Sequence, residues 1–481
     1  MAITGIGSGM DVNGMVKALV NAEAAPKTAQ LDRLEKTTTS KVSALGQFRS
    51  ALSTFQTALE KLNDPALFEK RSATSSAADI VSITADSKAV AGNYNVQVFN
   101  LAQSSKVALA GFDSASDAIG SGTLTINAGE ESLSIDVSDA SLTDIRDAIN
   151  AAGKDSGLSA TIVNDPNGEG GARLVLSSSE AGTGNDISVA VSNATGELDT
   201  LAFAPPSGTE ADFEPITPDD PRAARVISYS RDANLAIDGI NLSSASNTVE
   251  DAIEGVTLTL NKAQSEEAQD NAETINLGVT EDKAGVRKSI NDFVDAYNKM
   301  LGSVNTLTSV TEVGGDDTEP LAAALVGDAS VRSFMSAMRS ELGSPASGQG
   351  IRILADLGVS TQRDGTLALD NTKMNKALDN NFEQVNAFFT GEQGLMARLE
   401  NKVKPYTESG GVLDNRTKAL QNTISSVDDQ REALTMRLTK LESRLFAQFN
   451  AMDSLVSQMS STSSFLTAQL DSLPGVVKQD K

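Results

Sequence analysis

Residues 420–473 read LQNTISSVDDQREALTMRLTKLESRLFAQFNAMDSLVSQMSSTSSFLTAQLDSL, and their apolar side chains return at alternating steps of four and three. The register runs Leu420, Ile424, Val427, Arg431, Leu434, Leu438, Leu441, Leu445, Gln448, Met452, Leu455, Met459, Thr462, Leu466, Gln469, Leu473, and twelve of these sixteen positions are apolar. This is a heptad seam, the narrow stripe that one helix lays against another. A second seam stands near the other end: Leu31, Leu34, Thr38, Lys41, Leu45, Phe48, Leu52, Phe55, Leu59, Leu62, with eight of ten positions apolar. About 350 residues separate the two, and much of their first half alternates in short, Gly-punctuated segments of strand type. A chain that starts and finishes as coiled coil with β domains between is built as a stalk with a head. The expected fold class is α+β multidomain, with long terminal coiled-coil helices and a helical stem domain carrying nested, inserted β-rich head domains.

Proline placement supports the helices. Pro26 and Pro65 bracket the first seam, and no proline lies between Pro405 and Pro474, where Pro474-Gly475 stops the second. Unbroken, the C-terminal helix is about 80 Å long at 1.5 Å per residue. Propensity alone does not stabilise such a helix, because each Leu or Met contributes roughly 1.5–3 kcal/mol only when something covers it. The partners are the N-terminal helix of the same chain, as an intramolecular hairpin, or helices of other subunits. The polar seam positions Arg431, Gln448, Thr462 and Gln469 fix register or mark where the partner changes.

Composition excludes much chemistry. The 481 residues contain no His, Cys or Trp, which removes His-dependent triads, thiol nucleophiles, zinc sites built from His or Cys, and disulfides. The longest apolar run, Leu321 to Val326, is six residues, too short to span a membrane. Residues 2–10 are too short and Gly-rich for the apolar core of a secretory signal, so a chain of this kind that leaves the cell is expected to leave by another route. The net charge of −25 disfavours nucleic acid and anionic membranes as partners. Residues 107–232 alone hold twenty-one acidic and six basic side chains, and five prolines fall between Pro205 and Pro221. They are expected to form the outermost domain. The loop Asp165-Pro166-Asn167-Gly168-Glu169 lacks the spacing and terminal Glu of a calcium loop and reads as a solvated turn. Gly5, Gly7 and Gly9 have no strand before them and no Lys-Ser/Thr after them, so they do not form a phosphate loop. No enzyme, metal or cofactor site is expected.

The middle reads as strands with short helices. Residues 80–84 and 94–98 alternate; residues 123–126 and 133–137 flank a turn at Ala128-Gly129. Ser141 caps a short helix with Asp144 as its capping-box partner. A second unit runs Asn234–Gly239, a helix at Thr248–Ile253, then Val256–Leu260, and shares Asp-Ala-Ile with the first. From Glu281 helical pattern returns, with Val286, Ile290, Phe293, Val294, Tyr297, Leu301 and Val304 on one face. A helix through Leu325 to Leu342 follows, then a turn-rich unit at residues 357–367 and helices over Met374–Phe389 and Gly394–Lys404. The expected domains are residues 1–42 and 431–481 as terminal coiled coil, cut by Pro26 and mobile in the free subunit; 43–70 and 280–430 as helical stem; 71–106 and 233–279 as inner head; and 107–232 as outer acidic head.

The opening Gly5-Ile6-Gly7-Ser8-Gly9-Met10-Asp11-Val12-Asn13-Gly14-Met15-Val16-Lys17-Ala18-Leu19-Val20, with Glu23, Ala25-Pro26 and Leu31, resembles the start of flagellar filament cap proteins, the hook-associated protein 2 family. Leu354-Ala355-Asp356-Leu357-Gly358-Val359-Ser360, then Asp364-Gly365-Thr366-Leu367-Ala368-Leu369-Asp370, Lys373 and Ala377-Leu378, resembles that family's other recognisable stretch. The modules near Ile149-Asn150 and Asp238-Gly239-Ile240-Asn241 are similar to inserts shared by flagellins and hook-associated proteins. The resemblance is weakest over 107–232. It implies export unfolded through the flagellar type III apparatus with its chaperone, and a ring-shaped homo-oligomer of about five or six subunits. It also implies a plate at the extracellular filament tip that retains flagellin and promotes its folding and polymerisation, with no cofactor. Candidate filament- and subunit-contact residues are Gly5, Gly7, Ser8, Gly9 and Asp11 at the start, and Leu434, Leu438, Leu441, Leu445 and Leu455 on the C-terminal seam. The alternatives are a surface adhesin binding host glycan or mucin through the acidic head, or another hook-associated axial protein.

Overall fold

The structure, a computed structural model, describes residues 11–154, 156–165, 169–206, 220–311, 321–346 and 350–472. It divides into a helical unit, residues 1–67 with 284–481, and a β-rich unit, residues 68–283, inserted between them in sequence. The first helix, α1 (Val12–Asn63), is 52 residues long. Asp11 caps it by accepting the Gly14 N–H at 2.8 Å, and Asp64-Pro65 ends it. Pro26 does not cut it. The ring removes one backbone hydrogen bond, but Ala22-Glu23-Ala24-Ala25 before it are good helix formers and the helix runs through. A short α2 (Pro65–Glu69) follows.

The β unit then runs β1 (Arg71–Ser75), β2 (Val81–Ala85), β3 (Gly92–Asn100), β4 (Ser104–Phe112), β5 (Ala118–Ala128), β6 (Glu131–Ser141), α3 (Leu142–Ala152), β7 (Leu158–Asn164), β8 (Ala172–Ala181), β9 (Ile187–Ser192), β10 (Arg225–Ser228), β11 (Ala233–Ile237), β12 (Ile240–Ser244), β13 (Thr248–Ile253), β14 (Val256–Leu260), α4 (Glu266–Asp270) and β15 (Ile275–Glu281). One hydrophobic core lies between the sheet β1-β15-β3-β11-β12 and the sheet β13-β14-β2, around Val96, Val98, Leu235, Leu258 and Leu277. A second core lies between β10-β4-β8-β7 and β6-β5-β9, around Leu109, Leu124, Ile126, Leu174 and Ile187. Alternation along each strand sends one face inward, so Leu124 and Ile126 are buried while Thr123 and Thr125 are only partly covered. The chain leaves the first core after β3 and returns at β11. At that crossing Gln103 and Arg231 exchange both backbone hydrogen bonds, at 2.9 and 3.0 Å.

The β5–β6 hairpin turns on Gly129 at φ +62°, where a side chain would also strike Asn185 Oδ1 at 2.0 Å. Ser141 and Asp144 form the expected capping box on α3, and Leu142, Ile145 and Ile149 are buried beneath it. Residues 248–253 are not a helix. They form β13, antiparallel to β14, with a bulge between Val249 and Ile253 where Asp251 takes φ +59°. Six residues are too few to stand as a helix against ready ladder partners, and Thr248 and Val249 are β-branched. The shared Asp-Ala-Ile therefore does not mark a repeated shape.

The helical unit resumes with α5 (Lys283–Thr308), β16 (Val310–Thr311), β17 (Leu321–Ala322), α6 (Ala329–Gly343), β18 (Val359–Thr361), β19 (Leu367–Leu369), α7 (Asn371–Asn380), α8 (Phe382–Phe389), α9 (Leu395–Thr407) and α10 (Val412–Asp471). The seven apolar residues expected on one face of α5 are all buried. Leu325 is buried but precedes α6, which starts only after Asp328 caps it. The expected helix over 374–389 is two, broken at Asn381, which leaves helical φ at −139°. Aromatic rings tie α1 to the later helices: Phe48 meets Phe334 edge-on at 5.6 Å, and Phe55 lies 6.0 Å from both Phe293 and Tyr297.

Candidate assembly surface

The two seams form an antiparallel pair, α1 against α10. Arg431 of α10 reaches Asp32 at 2.5 Å and Glu35 at 2.6 Å on α1, and further along α10 Arg437 pairs with Glu23. Higher numbers on one helix thus face lower numbers on the other. Glu35 and Asp32 hold the Arg431 guanidinium above its ordinary pKa through their hydrogen bonds. The polar seam position Arg431 therefore sets register within one chain. Near the base of the pair Arg49 donates to the Thr407 carbonyl at 3.0 Å.

Burial along α10 changes with position. Val427 is fully buried, and Leu434, Leu438, Leu441 and Leu445 are half-buried against α1. After them the apolar face is open: Met452 is 41% exposed, Leu455 59%, Met459 71%, Phe465 65% and Leu470 60%. At 1.5 Å per residue on both helices, the register set by Arg431 and Arg437 brings Val12 opposite about residue 450 of α10. The rest of α10, residues 451–471, runs past the described part of α1.

The candidate residues thus divide. Leu434, Leu438, Leu441 and Leu445 belong to the intramolecular pair, whereas Leu455 lies on the open face. Asp11 is exposed and caps α1. Gly5, Gly7, Ser8 and Gly9 lie outside the described residues. The N-terminal seam also shifts. Leu34 is 42% exposed while Thr38 is buried, its hydroxyl donating to the Leu34 carbonyl at 2.6 Å. That internal bond lets a Thr occupy an apolar position without an unsatisfied group. The sequence reading missed Val12, Val16 and Ala44, all buried; Val12 and Val16 stand four apart, the one local signal that α1 starts so early. It also missed Val456, Phe465 and Leu470, which widen the open face beyond the four-three register.

The arrangement is one for packing against another surface. An open groove of about 460 Å³ in the helical unit, beside Ser50, Ala51 and Thr54, is lined by small, hydroxyl and apolar side chains with the one cation Lys299. Among the described residues no three acidic side chains are grouped to hold a metal ion, and no helix is long and apolar enough to cross a membrane.

Comparisons with known proteins place these features in one family. Residues 8–105 match the profile described as flagellar hook-associated protein 2 N-terminus, and residues 230–461 that of the flagellar hook-associated protein 2 C-terminus. Residues 123–180, from β5 into β8, match the flagellin hook IN motif. The chain is 42% identical to the A-type flagellar hook-associated protein 2 of Pseudomonas aeruginosa, over 99% of this chain and 98% of that one. It is 30% identical to flagellar hook-associated protein 2 of Escherichia coli K12, over 97% of each. Among solved structures it is similar to the flagellar cap protein FliD of Escherichia coli, domains D1 to D3. There the TM-score is 0.58 at 28% identity, covering 79% of this chain and 99% of that one.

Proposed function

The chain belongs to the flagellar hook-associated protein 2 family and is a structural cap of the bacterial flagellar filament; we propose that it works as an oligomeric plate that retains exported flagellin and promotes its folding and polymerisation. The observation that carries this is the open apolar face of α10 from Met452 to Leu470. A helix that leaves this much apolar surface uncovered is built to be completed by other chains. Covering each such side chain contributes roughly 1.5–3 kcal/mol, offset by the entropy of ordering both partners. In the proposed cap, the ends of α10 from about five or six copies face the filament and meet flagellin there. The pairing of α1 with α10 as far as Leu445 stands within one chain, whereas the apolar face of α10 from Met452 to Leu470 is covered only on assembly.

Absence of cysteine suits passage as an unfolded chain through the flagellar type III export apparatus with a chaperone. The adhesin and other axial-protein readings are not favoured, because the family match extends over essentially the whole chain.

The test is retention of flagellin. A strain lacking the chain is expected to shed monomeric flagellin into the medium, and supplying the full chain to restore filaments. A chain ending after residue 450 is expected not to restore them. Full restoration by that truncated chain would remove the role assigned to the open face.

A further inference from the structure

The chain contains no His, Cys or Trp, so oxidation by a peroxide falls on its eleven methionines. The structure sorts these. Met300, Met335, Met338, Met374 and Met396 lie in the core of the helical unit, each 5% exposed or less. Met15 is half-buried. Among the described residues the three exposed methionines, Met436, Met452 and Met459, all stand on α10, at 56%, 41% and 71% exposure. Their places on that helix differ. Met452 and Met459 are seam positions one heptad apart and belong to the open apolar face. Met436 stands two residues past the seam position Leu434, about 200° around the helix, and lies outside that face. The seam also changes composition where it changes cover. From Leu420 to Leu445 its apolar positions are Leu, Ile and Val throughout, all at least partly covered. Sulfur enters the seam only at Met452, where the cover ends.

We propose that Met452 and Met459 are a reversible oxidation site that decides whether an unassembled chain can still join the filament. This rests on the reading of the open face of α10 as an assembly surface. In the free chain both thioether sulfurs meet solvent. With hydrogen peroxide, a sulfur lone pair attacks one peroxide oxygen and the O–O bond breaks. The sulfur gains that oxygen and loses two electrons, and the other oxygen takes up both peroxide protons and leaves as water. The sulfoxide is polar and chiral where the thioether was apolar and flexible. Its oxygen is an acceptor that a packed apolar contact leaves without a donor. Two such groups stand about 10 Å apart along one face, so two successive layers of the contact are spoiled. The unoxidised side chain suits the task, because a thioether adapts to a partner of uneven shape. Once the face is covered, the same sulfurs are sheltered. Thiol-dependent sulfoxide reductases, one for each sulfur epimer, reverse the step: two thiols become a disulfide and the oxygen leaves as water. This chain has no cysteine to supply those thiols itself.

The test treats the full chain with hydrogen peroxide, quenches it with catalase, and places each added oxygen by peptide mass spectrometry. Met452 and Met459 are expected to oxidise about tenfold faster than the five core methionines, and to be protected in chains already bound to flagellin filaments. Co-sedimentation of the oxidised chain with such filaments is expected to fall about tenfold, while the melting of the free chain stays as it was. Treatment with both reductases and dithiothreitol is expected to restore it. Met436→Leu is expected to leave the response to peroxide as it is. Met452→Leu with Met459→Leu, measured against its own untreated sample, is expected to remove the response. Unchanged co-sedimentation with both sulfoxides formed, a loss that the reductases do not reverse, or a response that persists in the double Leu variant overturns the proposal. Met459→Ser with Phe465→Ser separates the two levels. If that variant fails to co-sediment while the oxidised parent still does, the oxidation site alone falls. If both co-sediment like the untreated parent, or the untreated parent does not co-sediment at all, the open face is not an assembly surface and that reading falls with it.

Discussion

Asp328 does two tasks with one carboxylate. It caps α6 by accepting the Ser330 and Val331 N–H groups at 2.9 and 3.2 Å, and it takes both ends of the Arg416 guanidinium at 2.9 and 2.5 Å. The hydrogen bonds from Arg416, then those of the cap, hold its carboxyl below the ordinary range against the opposing effect of burial. The pair ties the start of α10 to α6, and the Asp328 side chain is only 10% exposed. Replacing it by Asn keeps part of the cap and loses the charge-assisted bonds, at an expected cost of about 1.5–3 kcal/mol to the helical unit. Because the folded pKa is depressed, the unfolded chain binds the proton first as pH falls. The stabilisation is complete above the ordinary Asp value of about 3.9 and is lost as pH falls through the lower folded value. The melting difference between parent and Asp328→Asn is therefore expected to be constant near neutrality and to shrink below about pH 4. A difference that does not change with pH would contradict this. The sequence showed the Ser141–Asp144 box, because its two members stand three apart. It did not show Asp328, whose decisive partner is 88 residues away.

A period in sequence says that a helix face is apolar, and says nothing of whether that face is covered. The four-three repeat of α10 was fully legible, and so were the α5 face and the β5–β6 hairpin. That Leu434 to Leu445 pack on α1 while Leu455 and Met459 stand open was not legible, since it follows from where α1 begins. Short segments fared worst. At residues 248–253 no period exists to override a chance likeness to α3, and strand pairing decided. Pro26 misled for the opposite reason: a local breaker was outweighed by 52 residues of otherwise continuous helix.

The division along α10 predicts two distinct phenotypes. Leu438→Asp with Leu441→Asp places two carboxylates in the half-buried pair and is expected to cost several kcal/mol. It should separate α1 from α10, leave the melting of the β unit unchanged, and abolish assembly at the tip. Met459→Ser with Phe465→Ser touches only the open face. The free chain should keep its stability within about 0.5 kcal/mol while capping is lost. Thermal melts followed by circular dichroism, set beside filament counts, check both. Equal destabilisation by the two double variants would show that the outer part of α10 is covered within one chain.

At the scale of the molecule, the β unit holds two cores, and the chain passes from one to the other only where Gln103 and Arg231 pair. Paired residues on antiparallel strands lie about 5 Å apart, so the ends of the 107–232 segment are already side by side. We propose that this acidic segment folds as an autonomous outer domain. Joining the Lys106 side to the Asp232 side with a short Gly-Ser linker is expected to leave the remainder folded and at least partial filament growth. Loss of the remaining cooperative melt would show that the segment belongs to the main core. Its charge and its proline-rich edge could be read directly from composition; its sheets could not, because strand partners up to about 120 residues apart leave no local mark. The flagellar assignment was legible in the opening segment and in residues 354–378, where runs of consecutive residues carry the resemblance. Electron microscopy of filaments labelled with antibody raised against the β unit tests the cap reading most directly: label confined to the distal tip is the predicted result, and label along the shaft or at the junction with the hook would contradict it.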